Sequence, residues 1–304
     1  MEKKGVKIQK KKLYKAGRRL KKVKRSSGLF IAPSFLGVLV FFVIPFMVVI
    51  FYSLVDNPIS QNFVGLDNFK YVIENNAFRR AVINTFKFSI ISVPLAVLLS
   101  LLLAIMLEAK IPFQSQFRTF FLSPMMVPVA SVVLIWQVLF NHHGAVNEIL
   151  AWFDIEKIDW LKSEQGQIVL VVLFLWKNLG YNMILFMAAL ASIPKDILEV
   201  ARLESATPLQ TFFYIKVRYL SSTFMFVTIM SLINSFKVFR EIYLLTGDYP
   251  FSSLYMLQTF MNNTFRSLDY QKLSSAAVLM SLVMVVIIGI LFLVENHFGK
   301  DVEG

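Results

Sequence analysis

Six long apolar runs, separated by shorter polar stretches, dominate the hydrophobic pattern of this 304-residue chain. A helix needs about 20 apolar residues to cross the hydrocarbon core of a bilayer, and each run reaches that length. The runs cover about residues 29–54, 84–107, 118–140, 168–191, 221–245 and 273–294. The pattern therefore predicts an all-α integral membrane protein with six transmembrane helices.

The composition supports a membrane environment. Hydrophobic residues make up 57% of the chain and charged residues 16%, whereas soluble domains are about 25% charged. The chain has no cysteine, which excludes a disulfide framework, a thiolate nucleophile and a cysteine metal site.

The net charge of +12 comes from the N-terminal tail. Residues 1–25 hold 13 Lys or Arg and one acid, and the charges of the other residues sum to zero. We expect this tail to lie beside anionic lipid, which attracts each basic residue by about 1 kcal/mol. Nucleic-acid binding is the alternative, but neither interleaved aromatics nor a nucleic-acid-binding fold accompanies the run. No nucleic-acid partner is therefore expected.

The first apolar run is too long for a secretory signal, whose apolar region has about 7–15 residues, and it lacks a small-residue cleavage site. We expect it to remain as the first transmembrane helix. With the N-terminus in the cytoplasm, 20 Lys and Arg fall inside and 7 outside, in line with the positive-inside tendency. The prediction is a cytoplasmic tail over 1–28, a transmembrane domain over 29–295 and a short cytoplasmic C-terminal tail over 296–304.

Sequence motifs of catalysis are absent. The chain has no G-x-x-x-x-G-K-[ST] phosphate loop, no H-E-x-x-H and no G-x-S-x-G, so we expect no enzyme activity and no ATP hydrolysis by this chain. His142 and His143 lack a carboxylate or cysteine at ligand spacing, and neither a metal nor a cofactor is expected. In the same loop, 141–161, Trp152 and Trp160 are suited to a membrane interface.

A polar segment over 192–220 interrupts the apolar pattern between the fourth and fifth runs. Pro194 marks one helix start, and Thr207 with Gln210 three residues later marks a second, as in a capping box. The segment is predicted to be two short helices joined by a tight turn near Ser205. The pattern alone leaves open whether this hairpin has a function or only covers one end of the helix bundle.

The hairpin sequence EVARLESATPLQTFFYIKVR (199–218) resembles the EAA loop of binding-protein-dependent ABC transporter permeases. Glu199 and Ala201 match the opening Glu-Ala-Ala, Ser205 stands at the position of the family's glycine, and Ile215 matches its isoleucine. Arg218 replaces the family's proline. The carbohydrate-uptake branch usually reads Glu-Ala-Ala-x-x-Asp-Gly-Ala, so the tripeptide over 204–206 is an altered form of it.

Further segments follow the sugar-permease pattern in order, and the resemblance covers about residues 28–295. These segments are VGLDNFKYV (64–72), NTFKFSI (84–90), FRTFFLSPMMVP (117–128), WQVLFNHHGAVNEIL (136–150), AALASIP (188–194) and NSFKVFREIYLLTGDYP (234–250).

The resemblance implies a permease subunit of a maltose-transporter-type importer for a sugar or oligosaccharide, in a bacterial plasma membrane. It implies a second permease subunit, usually a different chain, two copies of a cytoplasmic ATP-binding subunit and an extracellular solute-binding protein. The 192–220 loop would then be the coupling hairpin that docks on the ATPase. The coupling residues it implies are Glu199, Ala201, Glu204, Ser205 and Ala206.

Charged and amide side chains lie inside the fourth and fifth runs, where charges are costly unless they face a partner or a water-filled path. Stacked polar and aromatic groups suit a sugar, so we expect part of the solute path here. The candidates are Lys177, Asn178, Tyr181, Asn182, Asn234, Lys237 and Arg240. The alternative is a structural ion pair, such as Lys237 with Glu241 four residues later. Arg240 stands where the family is often acidic, which raises the possibility of an acidic sugar.

Two other classes of membrane protein were weighed. A channel or a secondary transporter not driven by ATP would show a filter motif, regularly spaced arginines or an inverted repeat, and none is visible. An intramembrane enzyme would need paired carboxylates or histidines, whereas the runs contain only Glu241. The solute and the partner permease cannot be identified from this sequence.

Overall fold

The computed structural model describes residues 31–109 and 112–298, and in this part of the chain the structure is helical apart from one isolated bridge between Val55 and Phe63. The basic tail over 1–28 and the last residues of the C-terminal tail lie outside the described residues. The helices long and apolar enough to cross a membrane are α1 (Ile31–Ser53), α3 (Asn76–Glu108), the pair α4 (Gln114–Met126) and α5 (Val129–Leu139), α7 (Gly166–Ala191), α10 (Ser221–Phe236) with α11 (Phe239–Thr246), and α13 (Tyr270–Phe298). The all-α membrane architecture is confirmed. The shorter helices are α2 (Asp67–Glu74), α6 (Ala145–Ala151), α8 (Lys195–Leu203), α9 (208–219, π-helical over Thr211–Lys216) and α12 (Leu257–Arg266).

The third apolar run is bent and does not form one straight helix. α4 and α5 meet at an angle of 102°. Val127 between them is extended, with φ −92° and ψ 131°, because the ring of Pro128 disfavours the helical conformation of the residue before it. The described part therefore has five long candidate spans plus this bent pair, which makes six if the pair counts as one span.

The centre of the bundle is formed by α3, α7 and α10, with α3 packing most extensively on α7. The buried face of α3 carries small side chains, including Ala96 and Ala104, which let neighbouring helices approach closely. The hydroxyls of Ser89 on α3 and Ser235 on α10 lie 2.8 Å apart and join these two helices. Most apolar side chains of α1 and α13 are exposed or half-buried, which suits contact with lipid or another transmembrane chain.

The fifth run contains a break at Lys237 and Val238, where α10 ends and α11 begins. Lys237 and Glu241 therefore do not lie one turn apart on a single continuous helix. An ion pair between these two residues at helical spacing is not formed, and Glu241 contacts another helix instead.

The 141–161 loop folds around the buried side chain of Asn147. Its amide donates to the backbone carbonyls of His142 and Ile158 at 3.0 and 2.8 Å. The indole N–H of Trp160 donates to its carbonyl oxygen at 3.0 Å. Trp160 is buried in this network. Trp152, in contrast, is 80% exposed.

The same loop carries an exposed ion pair. The Lys157 ammonium lies 2.8 Å from the Glu148 carboxylate on α6, and this hydrogen bond and charge lower the pKa of Glu148. The loop is thus ordered by local polar contacts.

Candidate functional site

Two adjoining cavities lie where α7 meets the break between α10 and α11, with α4 and α5 closing the larger one. Their volumes are about 320 Å³ and 110 Å³. The larger cavity falls within the range of small-molecule sites, about 300–1,000 Å³. The cavities share five lining residues, which are Leu173, Lys177, Asn178, Asn234 and Glu241. Four of these five carry polar side chains, so the shared wall is polar.

An ion pair forms part of this wall. The Lys177 ammonium nitrogen lies 2.5 Å from Oε1 of Glu241, and the two side chains are 43% and 9% exposed. The second carboxylate oxygen of Glu241 has no hydrogen-bond partner among the described residues.

A row of amide contacts joins α7 to α10 beside the ion pair. The Asn234 side-chain amide donates to the carbonyl oxygen of Asn178 at 2.9 Å, and the amide of Asn178 donates to the Phe174 backbone carbonyl at 2.8 Å. One turn further along α7, Asn182 donates to the Ser231 hydroxyl at 3.0 Å. The two polar stripes of the fourth and fifth runs therefore face each other.

The structure divides the predicted path residues into three groups. Four of them line the larger cavity, namely Lys177, Asn178, Tyr181 and Asn234. Lys237 lines the smaller cavity. Asn182 is buried behind the row, 2% exposed, and lines neither cavity. Arg240 is exposed and also lines neither, since it follows the helix break.

The apolar part of the larger cavity's lining was not predicted from the sequence. Trp176 supplies an aromatic ring from α7, and Pro124, Met125 and Val127 come from the bent pair α4–α5. In sequence these residues resemble any other part of an apolar span. The only feature of the sequence that could have indicated these lining residues is the pair of prolines in the segment SPMMVP.

The second candidate site is the hairpin of α8 and α9. α8 begins at Lys195, with Pro194 as its cap, one position later than predicted. Thr207 and Gln210 form a reciprocal capping box at the start of α9, as predicted. The sequence therefore specifies both helix starts locally.

The turn between these helices has the hydrogen bonds of a Schellman motif. The backbone N–H of Ala206 donates to the carbonyl of Ala201 at 2.9 Å, and that of Ser205 donates to Arg202 at 3.0 Å. Ser205 adopts a left-handed conformation with φ 57°. Serine costs about 1 kcal/mol more than glycine in this conformation.

The hairpin buries one face and exposes the other. Ala201 is buried and Ala206 half-buried, whereas Glu199, Glu204 and Ser205 are exposed. Large apolar side chains on the hairpin are also exposed, namely Val200, Leu203, Leu209, Phe213 and Tyr214. Exposed apolar groups clustered beside charged ones are typical of a protein contact surface.

One ion pair connects the hairpin to the bundle. The Lys216 ammonium on α9 lies 2.6 Å from the carboxylate of Glu108, the last residue of α3. Since α3 packs on both α7 and α10, displacement of the hairpin has a direct route to the helices that line the cavities.

The sequence profile of the family described as the binding-protein-dependent transport system inner membrane component matches residues 73–304. The chain belongs to this family. It is thus a multi-pass permease component of the membrane, and the cavities and hairpin described above are parts of an ABC-importer permease.

Permeases of this family from several organisms are similar to the chain. The arabinooligosaccharides transport system permease protein AraP of Halalkalibacterium halodurans is 31% identical over 213 residues, which cover 66% of this chain and 67% of AraP. The trehalose/maltose transport system permease protein MalF of Thermococcus litoralis is 28% identical, covering 90% of this permease and 94% of MalF. The sn-glycerol-3-phosphate transport system permease protein UgpA of Escherichia coli is 31% identical, covering 68% and 72%.

The fold is similar to that of a solved transporter chain. A chain of the bacterial ABC transporter that imports the acidic polysaccharide alginate superposes with a TM-score of 0.78 at 21% identity, covering 94% of this permease and all of that chain. At this identity the likeness shows a shared fold.

Proposed function

We propose that this permease forms half of the translocation path of an ABC importer for a sugar or oligosaccharide. The observation that carries the proposal is the larger cavity, whose lining combines apolar and aromatic side chains with amides and charged groups. Sugars present hydroxyls that need hydrogen bonds and ring faces that are weakly apolar, and this cavity offers both kinds of contact.

The named substrates of similar permeases support this class of solute. AraP is named for arabinooligosaccharides and MalF for trehalose and maltose. UgpA is named for sn-glycerol-3-phosphate, and the transporter of similar fold imports alginate. Each of these solutes carries at least two hydroxyl groups.

The path would be completed by partners. We propose a second permease subunit, two copies of a cytoplasmic ATP-binding subunit, one of them docked on the 192–220 hairpin, and an extracellular solute-binding protein. The alginate transporter has been solved in complex with a periplasmic protein that holds an alginate pentasaccharide, which supports the last of these partners. In this proposal both termini lie in the cytoplasm of a bacterial cell, and the basic tail contacts anionic lipid.

The test begins with the complex purified through a tag on this chain. We expect a second permease and an ATPase to co-purify, and ATP to drive uptake of labelled oligosaccharides into vesicles that contain the complex. Asn234→Ala should reduce this uptake about tenfold, because it leaves the side-chain carbonyl oxygen of the buried Asn178 without its donor. The matched control is Ile290→Ala, on the exposed face of α13.

Two outcomes would count against the proposal. Solute flux that needs neither ATP nor an ATPase would favour a channel or a secondary transporter. Normal uptake by Asn234→Ala would limit the amide row to a structural role.

A further inference from the structure

Gly180 on α7 lies where the backbone of α4 passes closest. A Cβ atom at this position would overlap the carbonyl oxygen of Phe121 and would lie 3.1 Å from the backbone nitrogen of Leu122. Both atoms belong to the backbone, so no side-chain rotation could relieve the overlap. Any larger residue at Gly180 must therefore move α4 away from α7.

The shape of α4 at the crossing follows from Pro124 inside the helix. Proline lacks the N–H that would donate to the carbonyl of Phe120 four residues earlier. The hydroxyl of Ser123 donates to this carbonyl instead, at 2.8 Å. A glycine in a helix interior lowers helix stability by about 1 kcal/mol relative to alanine. The close contact with the α4 backbone explains why glycine is nevertheless required at position 180.

The crossing lies beside the larger cavity. On α7, Lys177 and Asn178 line the cavity just before Gly180, and Tyr181 lines it directly after. On α4, Pro124 and Met125 line the cavity about one turn after Phe121. The contact at Gly180 therefore fixes the spacing between the parts of α7 and α4 that line the cavity.

We propose that Gly180 sets the width of the cavity between α7 and α4, and thereby limits the size of the solute group that the path accepts. The inference rests on the proposed transport function for its consequence, but its geometry can be tested without any solute. Gly180 acts as a positioning residue, since it holds α4 against the polar row and offers no polar group itself.

The first experiment uses the natural absence of cysteine in this chain. A single cysteine is introduced as Tyr181→Cys, and the purified complex in lipid nanodiscs is labelled with a small and a bulky maleimide. We expect Gly180→Ala to raise the ratio of bulky to small labelling rates about tenfold, the scale on which one methyl group changes selection in a pocket. Gly289→Ala is the matched control, because a Cβ on this α13 glycine would meet no atom within 4 Å.

A second pair of variants covers the case in which Gly180→Ala does not assemble. Met125→Ala removes side-chain volume from the lining of the larger cavity without affecting the crossing at Gly180. It should also raise the ratio of bulky to small labelling rates. Met126→Ala, at a neighbouring residue that is 83% exposed and does not line the cavity, should not. Unchanged ratios in Gly180→Ala or, if this variant cannot be made, in Met125→Ala would overturn the inference.

Transport then separates this inference from the proposed function. In vesicles, Gly180→Ala should change the relative uptake of maltose and maltotetraose, whereas Gly289→Ala should not. An altered labelling ratio without uptake of any sugar by the unmodified complex would leave the width assignment intact and remove the proposed function. Sugar uptake with an unaltered labelling ratio would leave the proposed function intact and remove the width assignment.

Discussion

Lys177 on α7 and Glu241 on α11 form an ion pair across the wall shared by the two cavities, with 2.5 Å between ammonium nitrogen and carboxylate oxygen. Glu241 is nearly buried and Lys177 is partly open to the cavities. The pair connects two helices that are separated in sequence by the whole hairpin. It forms because the break after α10 places Glu241 opposite α7.

Removal of the lysine alone should therefore lower the stability of the protein more than removal of both charges. Lys177→Met leaves a nearly buried carboxylate unpaired, and we expect a loss of about 2 kcal/mol, less than the 3–5 typical of a fully buried pair because Lys177 is 43% exposed. The double variant Lys177→Met with Glu241→Gln should recover most of this loss. Thermal unfolding of the purified complex measures both, and equal stability of the single and double variants would contradict the prediction.

The orientation of the chain can be read from single cysteines. We expect Lys162→Cys to react with a membrane-impermeant maleimide in intact cells, and Leu203→Cys to react only after the cells are opened. Both positions are exposed to solvent, so a difference between them reports the side of the membrane. The opposite result would invert the topology and exclude a cytoplasmic ATPase at the hairpin.

Glu199 is predicted to make a charged contact with the ATPase. Glu199→Lys should abolish uptake or loosen the ATPase, because removing one partner of a desolvated charge pair costs about 2–5 kcal/mol. Co-purification and ATP-driven uptake are the measurements. The control is Glu156→Lys, an identical charge change at an exposed residue of the 141–161 loop. If Glu199→Lys retained both ATPase binding and uptake, the hairpin would only cover one end of the helix bundle.

At the left-handed turn, a substitution is expected to stabilise the protein, in contrast to the substitutions above. Ser205→Gly should stabilise the hairpin by up to about 1 kcal/mol, since glycine adopts this conformation without steric cost. Ser192→Gly, at a helix end with φ −82°, should give no such gain. Protection of the α8 amides from hydrogen exchange would measure the difference. Equal protection in the two variants would show that the turn carries no strain.

The link between Lys216 and Glu108 is expected to carry motion from the hairpin to α3. Its direct contribution to stability should be below about 1 kcal/mol, as for other exposed pairs. Glu108→Lys should therefore assemble but import slowly for each ATP hydrolysed, and the swap with Lys216→Glu should restore the ratio. Failure of the swap to restore coupling would assign the two residues independent roles.

Local sequence determined several parts of this protein. Runs of about 20 apolar residues specify membrane helices because the lipid environment requires every backbone group to be bonded within its own helix. Thr207 and Gln210 similarly determine where α9 begins, because a capping box involves only residues three positions apart. The depth of Lys177 in its span can also be predicted locally, because it depends only on the number of residues from the start of the apolar run.

The tertiary structure decided which of these side chains meet. The sequence placed Asn178 and Asn182 on one stripe, yet only Asn178 lines a cavity, because α10 packs over Asn182. The partner of Glu241 and the role of Gly180 depend on where helices distant in sequence cross and break. Periodicity records the face of a helix on which a residue lies, whereas the close packing of other helices determines what that face contacts.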